Sequence, residues 1–196
     1  ALVPIIQGQH PTGGWTYKMA PGVEGGDGHG AKGKYRDDTS YMGWCAQALK
    51  AAKLAKLHAE GLEKAMKLAV KGFKANAHPS GGFGYTSPGT GGLTSVGCLC
   101  MQLLGASNEG EVKRALDVMD TWTPTFTSYG LFNAEIKNVK KEEIKEGSSA
   151  LAVATGKLAA KIPEEERKFF TSSAQYYFYY ATQCKFHEGG KHWDNW

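Results

Sequence analysis

One stretch of this chain comes back, and its return limits what the rest can fold into. Gln9-His10-Pro11-Thr12-Gly13-Gly14-Trp15-Thr16-Tyr17 is echoed by Gly81-Gly82-Phe83-Gly84-Tyr85, so Gly-Gly-aromatic-x-Tyr occurs twice, 68 residues apart. Pro21-Gly22 follows the first copy and Pro88-Gly89 the second. Each copy runs into a helical pattern, and here Thr39, Ser40, Cys45, Gln47 and Leu49 recur as Thr94, Ser95, Cys100, Gln102 and Leu104, all at an offset of 55. The first copy therefore carries 13 extra residues between turn and helix, within residues 23–35. Self-similarity at a fixed period marks a repeat architecture. Gly13-Gly14 and Gly81-Gly82 suit tight turns that need positive φ.

Hydrophobic spacing predicts the helices between these turns. Residues 39–57 form the first, with Trp44, Ala48, Ala52 and Ala55 on one face and Asp38, Thr39 or Ser40 available as cap. Residues 62–75 form the second, striped by Leu62, Ala65, Met66, Ala69 and Phe73. The next pair covers residues 93–104 and 109–122; residues 93–104 are apolar nearly all round and should be buried on more than one side. A charged excursion at 126–149 breaks the pattern, and helices are predicted again at 149–162 and 164–185. The last contains the run Tyr176-Tyr177-Phe178-Tyr179-Tyr180 and leads to a looser third turn of Gln183, Gly189, Gly190 and Trp193. The expectation is one all-α domain over residues 1–196. Residues 1–8 are an apolar lead-in, repeat one spans about 9–77, repeat two about 78–124 and repeat three about 150–196.

Charge and cysteine usage exclude several classes. Net charge is +4, and only Arg36, Arg114 and Arg167 are arginine. Lys50, Lys53 and Lys56, then Lys64, Lys67, Lys71 and Lys74, fall at helical spacing opposite apolar positions, as on a solvated face, so no nucleic-acid partner is expected. No apolar run reaches the roughly 18–20 residues a membrane span needs. The sequence begins at Ala1 as a processed or trimmed chain does, and it assigns no compartment. Cys45, Cys98, Cys100 and Cys184 lie in apolar patterns and read as buried thiols; Cys98-x-Cys100 has the wrong spacing for zinc. Gly28-to-Lys34 imitates a phosphate loop but ends in Tyr35, with no strand before it. Asp27 and His29, with Glu24, could hold a cation, although acidic Gly-rich loops are more often simply solvated. No metal and no cofactor are expected, and His187 and His192 read as surface residues.

Gln9-x-x-x-Gly13-x-Trp15 resembles the Gln-x-x-x-Gly-x-Trp motif of the squalene-cyclase and prenyltransferase repeat family. The wider pattern of Gly-Gly-Trp-x-Tyr, Asp-Thr-Ser, Gly-Trp, Tyr-Tyr-Ala-Thr-Gln and Gly-Gly is similar to bacterial proteins carrying this repeat, many of unknown function. The resemblance covers most of the chain outside 126–149. It implies an α/α toroid built of helical hairpins, here a partial ring of roughly three hairpins whose open ends meet a second copy or the remainder of a longer chain.

The same resemblance supplies a candidate site. Family cyclases that begin by protonating an alkene carry the acid in Asp-x-Asp-Asp, usually followed by Thr; here the stretch reads Tyr35-Arg36-Asp37-Asp38-Thr39, without the first carboxylate. Crowded carboxylates keep one proton, whereas Arg36 beside a lone pair favours ionised Asp. Asp37 is thus the candidate general acid, with Asp38 beside it; the competing reading makes Asp38 a helix cap and Asp37 a charge at the positive helix end. Trp44, Tyr176 and Tyr179 are candidate ligand-wall residues, since aromatic cavities hold carbocations in the family. The zinc residues of protein prenyltransferases cannot be matched here, and the thioester motif of complement-type toroids is absent. The expected function is a noncatalytic repeat domain binding a protein or an apolar small molecule. The alternative is a terpenoid-cyclase-like enzyme that cyclises an isoprenoid using Asp37.

Overall fold

The computed structural model describes residues 2–17, 35–121, 139–140, 153, 157 and 174–196. Among them the chain is helical, with isolated bridges at Ala77–Phe83 and Ala77–Gly89 and no strand. Seven helices have their ends among the described residues: α1 (Leu2–Gln7), α2 (Thr39–Leu54), α3 (Leu62–Ala75), α4 (Leu93–Leu103), α5 (Gly110–Asp120), α6 (Ala174–Glu188) and α7 (Gly190–Asp194). None is long and apolar enough to cross a membrane. The cation candidates Glu24, Asp27 and His29, the 126–149 excursion apart from residues 139–140, and nearly all of the helix predicted at 149–162 lie outside the described residues.

The core is organised around α4, which packs against α2, α5 and α6. Its residues are buried without a break from Thr94 to Gln102, as an all-round apolar pattern requires. The stripe Leu62, Ala65, Met66, Ala69 and Phe73 is the buried side of α3, facing α2. Val112, Ala115, Leu116 and Met119 do the same for α5 against α4. Tyr177, Tyr180, Ala181 and Cys184 are the buried side of α6. The register of the repeat shows in the glutamines: Gln47 Nε2 donates to the Tyr180 hydroxyl at 3.2 Å and Gln102 Nε2 to the Cys184 carbonyl at 3.2 Å. Both therefore tie their helix to α6.

Four details differ from the sequence reading. Residues 2–7 form a helix, because Pro4 sits in its first turn where the missing N–H costs nothing, and Leu2, Ile5 and Ile6 pack on the core. The helix predicted over 39–57 stops at Leu54, where Lys56 turns left-handed at φ 55°. Trp44 does not share the burial of Ala52; it is 56% exposed. The looser third turn is not built like the other two. Gly189 and Gly190, at φ 69° and 52°, stop α6 and restart the chain as α7, while Gln183 Nε2 bonds back to Tyr179 O within its own helix.

Candidate functional site

The two Gly-Gly turns close in the same way. The His10 amide donates to Gly14 O and the Gly13 amide to His10 O, both at 2.9 Å; the His78 amide donates to Gly82 O and the Gly81 amide to His78 O, both at 3.0 Å. Gly13 and Gly81 hold φ of 106° and 91°, and each lies flat on the backbone of a helix. A β-carbon at Gly13 would stand 2.2 Å from the Leu68 carbonyl on α3, and one at Gly81 would stand 2.6 Å from the Arg114 carbonyl on α5. Gln9 Nε2 braces the first turn by donating to Gly13 O (2.9 Å) and to Ala65 O on α3 (3.0 Å). Trp15 is buried and its Nε1 donates to Ile5 O on α1 at 2.7 Å. Phe83 is fully buried in the second turn, and its amide donates to the Thr94 hydroxyl at 3.3 Å.

Asp37-Asp38-Thr39 runs between these turns. The Asp38 amide donates to Trp15 O and the Thr39 amide to Tyr85 O, both at 2.8 Å. Asp38 is buried and caps α2: its Oδ1 accepts from the amides of Ser40 (2.9 Å) and Tyr41 (3.1 Å) and from the Ser40 hydroxyl. The Tyr85 hydroxyl also bonds to Asp38, and that bond, ahead of burial, pushes the Tyr85 phenol up to about 12. The Arg36 guanidinium lies 5.5 Å over the Tyr85 ring. Asp37 Oδ1 stands 2.7 Å from Nδ1 of His10, which is fully buried with its ring 4.8 Å from that of Tyr35. Asn76 Nδ2, from the end of α3, completes the knot by donating to Asp37 O (3.0 Å) and the Thr39 hydroxyl (2.9 Å). Asp38→Ala should cost about 1–2 kcal/mol as a lost N-cap, read from the urea midpoint; a loss below a few tenths would mean that the cap is not used.

Of the candidate ligand-wall residues, Tyr179 and Trp44 are more than half exposed and Tyr176 is half-buried. The Tyr176 and Tyr180 rings pack 4.9 Å apart, and burial raises the phenols of both. The outer side of α6 walls a cleft of about 620 Å³ lined by Gln175, Phe178, Tyr179, Thr182 and Gln183. Trp44 and Tyr176 are not among that lining. Trp196 reaches back across this helix, its ring 5.8 Å from Phe178 and its Nε1 donating to the Thr182 hydroxyl at 3.0 Å. Tyr17 is 69% exposed with its ring 5.0 Å from Tyr41. Trp193 is exposed and meets the exposed Phe186 edge to face at 5.3 Å.

A second polar cluster joins α5 to the C-terminal helices. Lys185 on α6 is buried, ion-paired to Asp120 Oδ1, with its ammonium 5.1 Å from the Trp196 ring centroid. His192 Nδ1 lies 2.7 Å from Asp120 Oδ2, and Lys191 Nζ lies 3.7 Å from Asp117. His192 is thus not a surface residue but 9% exposed, held inward by α7. Burial raises the Asp120 carboxyl, but the bond to Lys185 and the charges of Lys185 and His192 outweigh it and hold the carboxyl below its ordinary value. Asp117, Asp120 and His192 could reach one cation. The two lysines already match the carboxylate charge, so the cluster reads as an ion-pair network.

No family model matches the chain, and no curated protein or solved structure matches it either. The residue that sequence reasoning passed over is His10, the partner of Asp37. Its signal was present: His78 stands at the same offset of 68 residues and uses its own Nδ1 locally, 2.7 Å from the Ser80 hydroxyl.

Proposed function

We propose that the chain is a noncatalytic helical-hairpin repeat domain, of the α/α-toroid type suggested by its Gln-x-x-x-Gly-x-Trp motif, which holds an apolar ligand or partner against the outer side of α6. The observation that carries this is the cleft along Phe178, Tyr179 and Thr182, where Tyr179 offers an exposed ring on a helix fixed by its buried side. Flat aromatic surface of this kind binds apolar groups at low entropic cost. Phe186, on the same helix, and Trp193, on α7, form an exposed pair that adds apolar surface and would suit a second copy or further chain.

The use of Asp37 and Asp38 supports the noncatalytic reading. A general acid must present its proton to the substrate within hydrogen-bond reach. Asp37 is 7% exposed and turned to His10, while Asp38 is engaged by two amides and two hydroxyls. Both carboxylates serve the joint between turn and helix.

Native mass spectrometry with solvent extraction tests the proposal, followed by titration with farnesol as an apolar probe. Tyr179→Ala should weaken farnesol binding about tenfold, the loss of roughly 1.4 kcal/mol of contact, and Asp37→Asn should leave it unchanged. Cyclised product formed from an isoprenoid by the wild type and lost in Asp37→Asn would overturn the noncatalytic reading. Binding indifferent to Tyr179 would remove the site from α6.

A further inference from the structure

Two sulfur atoms face each other where α4 meets α6. Cys98 is in the middle of α4 and Cys184 on the buried side of α6; neither has any exposed surface, and the Cys184 thiol donates to Cys98 Sγ at 3.1 Å. Gln102, one turn along α4, donates to the Cys184 carbonyl at 3.2 Å, so the helices are pinned in register at this point. The other two cysteines are differently placed. Cys100, on the same helix, meets the Gly43 carbonyl at 3.7 Å, and Cys45 is buried on α2.

We infer that Cys98 and Cys184 are a cross-linking site, closing to a reversible disulfide that staples α6 to α4 by exchange with a small-molecule disulfide. The sulfurs must approach by about 1 Å to reach the bonding distance of about 2.05 Å, with the helix axes already side by side. One protein thiolate attacks a sulfur of the small disulfide, forming a mixed disulfide and releasing one small thiol. The second protein thiolate then attacks the protein sulfur of that mixed disulfide and releases the other small thiol. The two protein sulfurs are oxidised, the small disulfide is reduced to two thiols, and the two protons lost by the protein thiols end on them. Burial pushes the Cys98 thiol up, so exchange waits on α6 lifting from α4 and is slow in the native state. Once made, the bond closes a loop of 86 residues, which restrains the unfolded chain strongly.

The test incubates the full chain with oxidised glutathione under native conditions and follows intact mass, alkylation and peptide map. The expected result is the loss of two hydrogen atoms, two of the four thiols protected, a peptide joining Cys98 to Cys184, and a Tm about 10 °C higher, all reversed by dithiothreitol. Cys98→Ser and Cys184→Ser should each abolish the cross-link and the Tm rise. Four thiols still open to alkylation after denaturing the treated sample would overturn the inference. A bond from Cys45 to Cys100, or a glutathione adduct that never resolves, would do so equally.

Discussion

Gly13→Ala should destabilise the chain by about 4 kcal/mol, among the largest effects a single methyl can have. The new β-carbon would stand 2.2 Å from the Leu68 carbonyl and 2.8 Å from the Gly72 amide. Both are helical backbone and cannot swing aside. The backbone itself sits at φ 106°, where an L-residue is strained before any contact is counted. Gly105→Ala separates the two causes, since φ there is 85° but nothing lies within 4 Å of the added carbon. It should cost only about 1 kcal/mol, the strain alone. Urea unfolding at constant m reads the difference. Equal losses would mean that the first turn does not depend on lying flat against α3.

Removing Asp120 should be nearly as damaging, and removing its partner much less so. Asp120→Ala strands the Lys185 ammonium, whose side chain is 2% exposed, without its counter-charge. An unpaired buried charge costs about 3–5 kcal/mol; Asp120 itself keeps 20% of its side-chain surface, so the lower end, about 3 kcal/mol, is expected. Lys185→Met keeps the apolar stem and leaves a partly solvated carboxylate beside His192, which should cost about 1 kcal/mol. Acid adds a second signature. The folded Asp120 carboxyl titrates below its ordinary value of 3.8, so its contribution is present above that pH and lost as pH falls through the lower folded value. The gap between wild type and Asp120→Ala should therefore be full at about pH 6 and narrow at about pH 3. A gap that does not change with pH would mean that Asp120 acts by packing alone.

Helical character was legible because local signals agreed. The α3 stripe named its buried side residue by residue, and the all-round apolar α4 announced its burial, since both follow from the 3.6-residue period alone. The ends were less legible. Lys56 adopts a left-handed conformation that no residue preference suggests, and Gly189-Gly190 read as a third repeat turn although it restarts a helix. Spacing identifies a Gly pair but not whether a helix backbone waits to receive it. At the candidate site, the sequence marked Asp37 and Asp38 together and weighed the cap for Asp38, which is the role seen. It did not reveal that Asp37 faces His10, a contact across 27 residues made by tertiary folding. The His192 and Lys185 pairing with Asp120 was equally hidden, because a charged residue in an amphipathic pattern looks solvated until its partner is known.

The short run Asp37-Asp38-Thr39 has one more consequence. Consecutive amides of this run bind Trp15 of the first turn and Tyr85 of the second, and Asn76 locks the same spot from α3. In a stacked repeat array each unit touches only its neighbours and the end unit can peel away alone. Here loosening either turn takes the start of α2 with it, and α2 is shared with the other turn. The α2–α3 hairpin and the turn that leads into α4 thus meet in one hydrogen-bonded knot, and the two are expected to loosen together rather than one at a time.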